Sequence, residues 1–116
     1  MEWGNCSFGS VQIDGREYTK DVVLDRGAIR KRNKKASRAF KAQFGHTPLS
    51  LEEDIPWNCQ RLLIGTGQQG RLPVMEEVRK EAAKRGVALT ICTTPEAIEV
   101  LKSEPADTNA VLHLTC

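Results

Sequence analysis

Aromatic residues make up only 5% of this 116-residue chain: two Trp, one Tyr and three Phe. A domain that binds single-stranded nucleic acid by stacking needs rings beside its cations, so this scarcity restricts that class of function from the outset. Cysteine is sparse and scattered, at positions 6, 59, 92 and 116. No Cys-x-x-Cys pair exists and no histidine lies at zinc-finger spacing, so no metal site is expected and the cysteines read as structural. Cys92, directly after the run Val87–Ile91, reads as a small buried thiol. No window approaches the roughly 20 apolar residues of a membrane-spanning helix. The opening Met1-Glu-Trp-Gly-Asn-Cys has no basic end followed by an apolar stretch, so no secretory signal is expected and a cytoplasmic location is the default.

With 40% hydrophobic and 28% charged residues and a net charge of +2, the composition is that of an ordinary globular domain. A chain of this length fits one domain, so residues 1–116 are read as a single unit. Val11 and Ile13 alternate with polar residues, Asp14-Gly15 is a two-residue hairpin signal, and Tyr18 leads to the run Val22–Leu24. Asp25-Arg-Gly27 then turns into Ala28 to Arg32, which predicts a three-stranded antiparallel meander.

Ala36, Phe40 and Phe44 recur every four residues between Lys34 and Phe44, predicting a basic amphipathic helix with those side chains in the core and Gly45 as its stop. Ser50 and Glu53 have capping-box spacing for a short helical turn ending near Pro56. Beyond it the pattern reads β-α-β-α-β: a strand at Leu62–Ile64, a helix from Pro73 to Arg85 with Val74, Val78 and Ala82 inward and Gly86 as its stop, a strand at Val87–Ile91, a helix capped by Thr94 with Ala97, Ile98 and Leu101 inward, and a strand at Ala110–Leu114. The strands are mostly apolar, as in a sheet covered on both faces. The fold class is thus α/β with α+β elements: a three-layer domain in which the N-terminal meander adjoins a central mixed sheet.

The first strand of that unit empties into Gly65-Thr-Gly67-Gln-Gln-Gly70. A Gly-x-Gly-x-x-Gly turn between strand and helix can wrap amides around a dinucleotide pyrophosphate. Two of the accompanying conditions fail. Pro73, read as the first helical residue, lies beyond the glycine run, and no acid between Val87 and Pro95 is available for the ribose hydroxyl. No dinucleotide or other cofactor is therefore assigned. A smaller phosphate or carboxylate remains compatible with Thr66, Gly67, Gln68, Gln69 and Gly70 as anion holders, against the alternative that the glycines only permit a tight connection.

Arg26, Arg30, Lys31, Arg32, Lys34, Lys35, Arg38 and Lys41 fall within sixteen positions, so the chain's positive charge is localised. Such a patch suits a protein partner or an anionic ligand. Nucleic acid is the least favoured occupant, because Phe40 and Phe44 are assigned to the core. His113 and Thr115 project to one side of the last strand and Leu112, Leu114 and Cys116 to the other, so Cys116 is expected buried. A histidine near a hydroxyl suggests nucleophilic catalysis, but no acid is placed in sequence to orient His113, and packing is the favoured role.

Four strings occur together in order: Phe8-Gly9-Ser10-Val11, Lys35-x-Ser37, Ile64-Gly-Thr-Gly67 with Gly70, and His113-Leu-Thr115-Cys116. Through them the chain resembles the adipogenesis-associated Mth-domain family, a small domain found in archaea, bacteria and eukaryotes. The resemblance implies a three-layer fold around a mixed sheet and kinship with a mitochondrial factor that helps assemble respiratory complex I. It supplies no catalytic residue. The chain departs from the family where relatives carry Gly-Thr-Ser-His and it has Gly45-His-Thr-Pro-Leu-Ser50.

The expected function is a non-catalytic binding, assembly or regulatory domain that uses the basic face beside the glycine loop, with homo-oligomerisation compatible and no membrane partner. The competing expectation is an enzyme or binding protein for a small anionic ligand in a cleft at the end of strand 61–64. There Lys35 or Arg38 would be the charge clamp, with Ser37 or His46 nearby.

Overall fold

The computed structural model describes residues 1–116. Its strands are β1 (Trp3–Ser7), β2 (Ser10–Ile13), β3 (Arg16–Tyr18), β4 (Val22–Asp25), β5 (Ala28–Lys31), β6 (Arg61–Gly65), β7 (Ala88–Cys92) and β8 (Thr108–Leu112). A 3₁₀ segment at Lys34–Phe40 runs into the short helix α1 (Lys41–Phe44), and α2 (Glu76–Arg85) and α3 (Thr94–Lys102) complete the chain. One antiparallel sheet has the order β1-β2-β3; the other is mixed, with the order β5-β4-β8-β6-β7. The expected mixed α and β architecture, a small antiparallel sheet beside a central mixed one, is what the chain forms.

The meander is different from the sequence expectation. The turns at Asp14-Gly15 and Asp25-Arg-Gly27 do close hairpins, Ile13 facing Arg16 and Asp25 facing Ala28. However, β3 and β4 belong to different sheets, because polar Thr19-Lys20-Asp21 carries the chain from one layer to the next. β1, absent from the sequence reading, is the third strand of the small sheet. It pairs with β2 across a bulge between Trp3 and Cys6.

In the mixed sheet β8 is antiparallel to β4 and parallel to β6, and β6 is parallel to β7. β6 and β8 are buried on both faces, which explains the apolar runs Leu62–Ile64 and Ala110–Leu112 within them. β7 is an edge strand, and Ala88 and Thr90 are exposed. One face packs Leu24, Leu63 and Leu112 against Val11 and Ile13 of the small sheet and against Ala97, Ile98 and Leu101 of α3. The opposite face packs Leu62, Ile64 and Val111 against Val78 and Ala82 of α2 and against Leu49 and Ile55.

Three local expectations are corrected. Helix α2 begins at Glu76 rather than Pro73, because Val74 forms a parallel bridge with Leu49 and holds that stretch extended. The N-cap of α3 is Thr93, in a reciprocal capping box with Glu96, which leaves the Thr94 hydroxyl free to accept from the Gly67 amide and donate to the His113 carbonyl. The segment Lys34–Phe44 is mainly 3₁₀, and its one buried residue is Ser37; Phe40 and Phe44 are half-buried and lie outside both core clusters. Gly86 stops α2 as expected, in the left-handed conformation at φ 71°.

Gly67 has φ 103°, and a Cβ there would lie 2.4 Å from the Cys116 carbonyl carbon. Gly86 needs the same hand of backbone, but a methyl group there would meet nothing within 4 Å. Gly67→Ala is therefore expected to cost about 2 kcal/mol or more through strain plus overpacking. Gly86→Ala should cost only about 1 kcal/mol, the strain alone. Denaturant midpoints of the two variants measure the difference.

Candidate functional site

At the carboxyl end of β8 the chain continues as His113–Cys116 and lies across the glycine loop that follows β6. The Gln68 amide donates to the Thr115 carbonyl, the Gln69 and Arg71 amides to the Cys116 carbonyl, the Thr66 amide to the Cys92 carbonyl and the Gly70 amide to the Gly67 carbonyl. With Gly67 bonded to Thr94, every amide from Thr66 to Gly70 already has a protein acceptor. The Gln68 side chain donates to the Cys6 sulfur. The loop thus receives a segment of its own chain where a phosphate cradle would receive a ligand. Cys116 is half-buried rather than buried.

Open space lies on the other side of that segment. A cleft of about 570 Å³ is lined by Lys20, Asp21, Lys31, Arg32, Lys34, Lys35, Arg38 and Thr115, with Leu114 as its one apolar lining residue. A second cleft of about 300 Å³ is lined by Lys41, His46, Arg71, His113 and Cys116 and shares Arg32, Lys34 and Thr115 with the first. Lys35 and Arg38 reach the first cleft together because residues three apart eclipse in a 3₁₀ segment. His46 opens onto the second cleft. Thr66–Gly70 line neither, and no Phe, Tyr or Trp lines either.

A buried polar network forms the floor. Arg32, 3% exposed, donates from Nε to Glu53 at 2.7 Å and from a terminal nitrogen to the other Glu53 oxygen at 2.9 Å. Its second terminal nitrogen reaches Asp21 at 2.9 Å. The Ser37 hydroxyl donates to Glu53 and lies 2.6 Å from that of Ser50. Ser37 is therefore a fully enclosed member of the floor and has no surface for a ligand. Glu53, expected to cap a helical turn, is drawn away by Arg32; the sequence 51–53 is a turn and no helix forms.

Asp21 connects this floor to His113. One carboxylate oxygen accepts from Arg32 and from His113 Nδ1 at 2.8 Å, and the other accepts from the Leu114 amide at 2.9 Å. Burial by itself would push the Asp21 carboxyl up, but the hydrogen bond and charge of His113, the Leu114 amide and Arg32 outweigh burial and hold it below its ordinary value. Arg32 balances the same way: burial disfavours its charge, and Glu53 and Asp21 more than compensate, raising its pKa. An ionised carboxylate only accepts, so His113 must carry its proton on Nδ1. A ring with Nδ1 as its only protonated nitrogen presents the Nε2 lone pair, 3.1 Å from the Thr115 hydroxyl.

The sequence reading missed Asp21, Glu53 and Thr115 as members of one site. Asp21 and His113 are 92 positions apart, and no periodicity joins them. The available signal was the acid in the polar break after Tyr18. Cys59 and Cys92 have thiols pushed up by burial, in keeping with structural rather than reactive roles.

Arg32→Met leaves buried Glu53 with no cationic partner and removes one of the three donors to Asp21, and is expected to destabilise by about 3–5 kcal/mol. Removing the exposed Arg79–Glu76 pair by Arg79→Met should cost under about 1 kcal/mol. Urea denaturation of both variants checks the contrast. Because the folded Asp21 carboxyl titrates below its ordinary value of 3.8, its contribution is complete above that pH and is lost as pH falls further. Wild type should lose stability on acidification below about pH 4, with a shallower loss in Asp21→Asn, measured by denaturation across pH.

The chain shares 28% identity with conserved hypothetical protein PH1505 from Pyrococcus horikoshii, at a TM-score of 0.83 and full coverage of both chains. It is 27% identical to the protein MT938, at a TM-score of 0.71 with 98% of this chain and 97% of that one covered. An outer membrane protein from Bartonella henselae, 15% identical at a TM-score of 0.65 over 98% of this chain and 94% of that one, shares the fold. No curated protein matches the sequence. The family profile spans residues 4–113, and the chain belongs to the DUF498/DUF598 family of proteins of unknown function.

Proposed function

We propose that this protein is a binding domain for a small ligand carrying carboxylate or phosphate groups, seated in the double cleft beside His113–Cys116. The observation that carries the reading is an imbalance of pairing. Lys20, Lys31, Lys34, Lys35 and Arg38 line the larger cleft, and none of them forms an ion pair with an acidic residue. Asp21 is the one acid in that lining, and it is already engaged by Arg32 and His113. The cleft therefore has a surplus of unpartnered cations around a polar concavity, the complement of a multiply charged anion. Open sheets of this kind bind ligands outside the carboxyl ends of their strands, and the cleft lies just beyond the end of β8.

Kinship with a complex I assembly factor, which the resemblance to the Mth-domain family implies, would place an acidic segment of a partner protein on the same face. Concavity favours the smaller occupant. The glycine loop would act as a support for this site, with its amides bound to the segment that forms the cleft wall.

Titration with inorganic pyrophosphate, followed by amide NMR shifts at low and at physiological salt, tests the reading. The expected result is saturable shifts at Lys31–Arg38 and Thr115 that survive physiological salt. The double variant Lys35→Ala/Arg38→Ala should weaken binding by about tenfold or more, since two charge-assisted contacts are lost. Shifts confined to Thr66–Gly70, or none, would contradict it; shifts that appear only with an acidic peptide would favour the protein partner.

A further inference from the structure

The anion-binding reading uses the rim of the cleft and leaves its floor unexplained. Asp21, His113 and Thr115 form a line there: carboxylate to Nδ1 at 2.8 Å, Nε2 to hydroxyl at 3.1 Å. Each link has the polarity of a nucleophile, a base and the acid that orients the base. Asp21 accepts three hydrogen bonds, from Arg32, His113 and Leu114, so its position is fixed from three directions. His113 is anchored independently by its amide to the Gly65 carbonyl and by its carbonyl to Thr94. Packing alone does not require this. A core histidine can be satisfied by one partner, whereas here the second nitrogen is aimed at a hydroxyl that borders open space, because Thr115 lines both clefts and His113 lines the smaller.

The charges around Thr115 also have the right sign for the chemistry. Arg71, Lys34 and Lys41 line the smaller cleft with it. Attack by a hydroxyl on a carbonyl develops negative charge on the carbonyl oxygen, and fixed cations beside it stabilise that charge more in the transition state than in the ground state. The remaining cations would hold an anionic group elsewhere on the same substrate.

We propose that Thr115 and His113 are the nucleophile and base of an esterase site for small acyl esters that carry an anionic group, a proposal resting on the anion-binding reading above. Thr115 Oγ forms a bond to the ester carbonyl carbon and its proton passes to His113 Nε2. The tetrahedral adduct collapses, the bond to the leaving alcohol breaks, and Nε2 returns the proton to the leaving oxygen. Water then attacks the acyl-threonine, with Nε2 again taking and returning a proton, and releases the acid with Thr115 restored. Asp21 is a positioning residue, holding the ring with Nδ1 protonated.

The probes are mono-4-nitrophenyl succinate and neutral 4-nitrophenyl acetate. Wild type is expected to hydrolyse the succinate ester with higher kcat/KM than the acetate and to carry a succinyl group on Thr115 in quenched samples analysed by peptide mass spectrometry. Thr115→Val, a near-isosteric change at a half-buried position, should lower kcat by about a hundredfold or more, while Thr115→Ser retains turnover. Asp21→Asn should lower kcat with KM for the succinate ester kept, a split that a stabilising role alone would not produce. Succinate itself, followed by amide NMR, separates the two readings. Succinate shifts at Lys31–Arg38 with no Thr115 adduct, or with equal hydrolysis by wild type and Thr115→Val, overturn the esterase and leave anion binding in place. No succinate shifts together with no preference for the charged ester overturn both.

Discussion

Burial of one guanidinium organises this molecule's functional end. Arg32 is almost fully enclosed, and a charge in that position is tolerable only with well-placed partners. Glu53 meets it with both oxygens and Asp21 with one. Those two acids come from separate loops, and each brings further residues. Glu53 draws in Ser37 and, through it, Ser50, which fixes the 3₁₀ segment on the body of the protein. Asp21 draws in His113 and the Leu114 amide, which fixes the chain beyond β8. A single buried cation thus ties together four stretches of chain: the loops of Asp21 and Glu53, the 3₁₀ segment and the chain beyond β8.

The consequence for the surface is electrostatic. Both inward acids are committed to the network, and the basic residues around it are left without partners. Lys35 and Arg38 stand on the outer side of a segment whose inner side is Ser37, so the arrangement that satisfies Glu53 also displays the cations. The chain beyond β8 has a matching double role. Its carbonyls satisfy the glycine-loop amides, while Thr115 faces the clefts. Gly67 is required because that segment passes against it, with no room there for a Cβ.

The order of elements from β6 onward was legible because each signal was local: apolar runs for strands, Gly86 as a stop, and turn residues at Asp14-Gly15 and Asp25-Arg-Gly27. Long-range pairings were not. Ser50-x-x-Glu53 and Thr93-x-x-Glu96 have the same spacing, yet only the second forms a capping box. Exposed Glu96 has no stronger partner than its own helix end, whereas Glu53 has Arg32. The start of α2 was misplaced for a similar reason, since the bridge from Leu49 to Val74 crosses a gap that no window covers. Helical periodicity assigned Phe40 and Phe44 to a core, but a 3₁₀ segment turns on a period of three, and Ser37 took the inward position. Lys35 and Arg38 line one cleft and His46 the other, a separation that no local pattern in the sequence encodes. The acid that gives His113 a partner was visible only once the sheets were stacked.

The central claim is that Asp21 holds His113 with its proton on Nδ1 and its free nitrogen toward Thr115. Long-range ¹H–¹⁵N correlation of the histidine side chains at neutral pH tests it directly. The account predicts a protonated Nδ1 and an unprotonated Nε2 for His113, with the Nδ1 proton shifted downfield by the carboxylate and slow to exchange. A ring protonated on Nε2 alone would contradict it, since Nδ1 would then have no hydrogen to give Asp21 and the line from acid to hydroxyl would be broken.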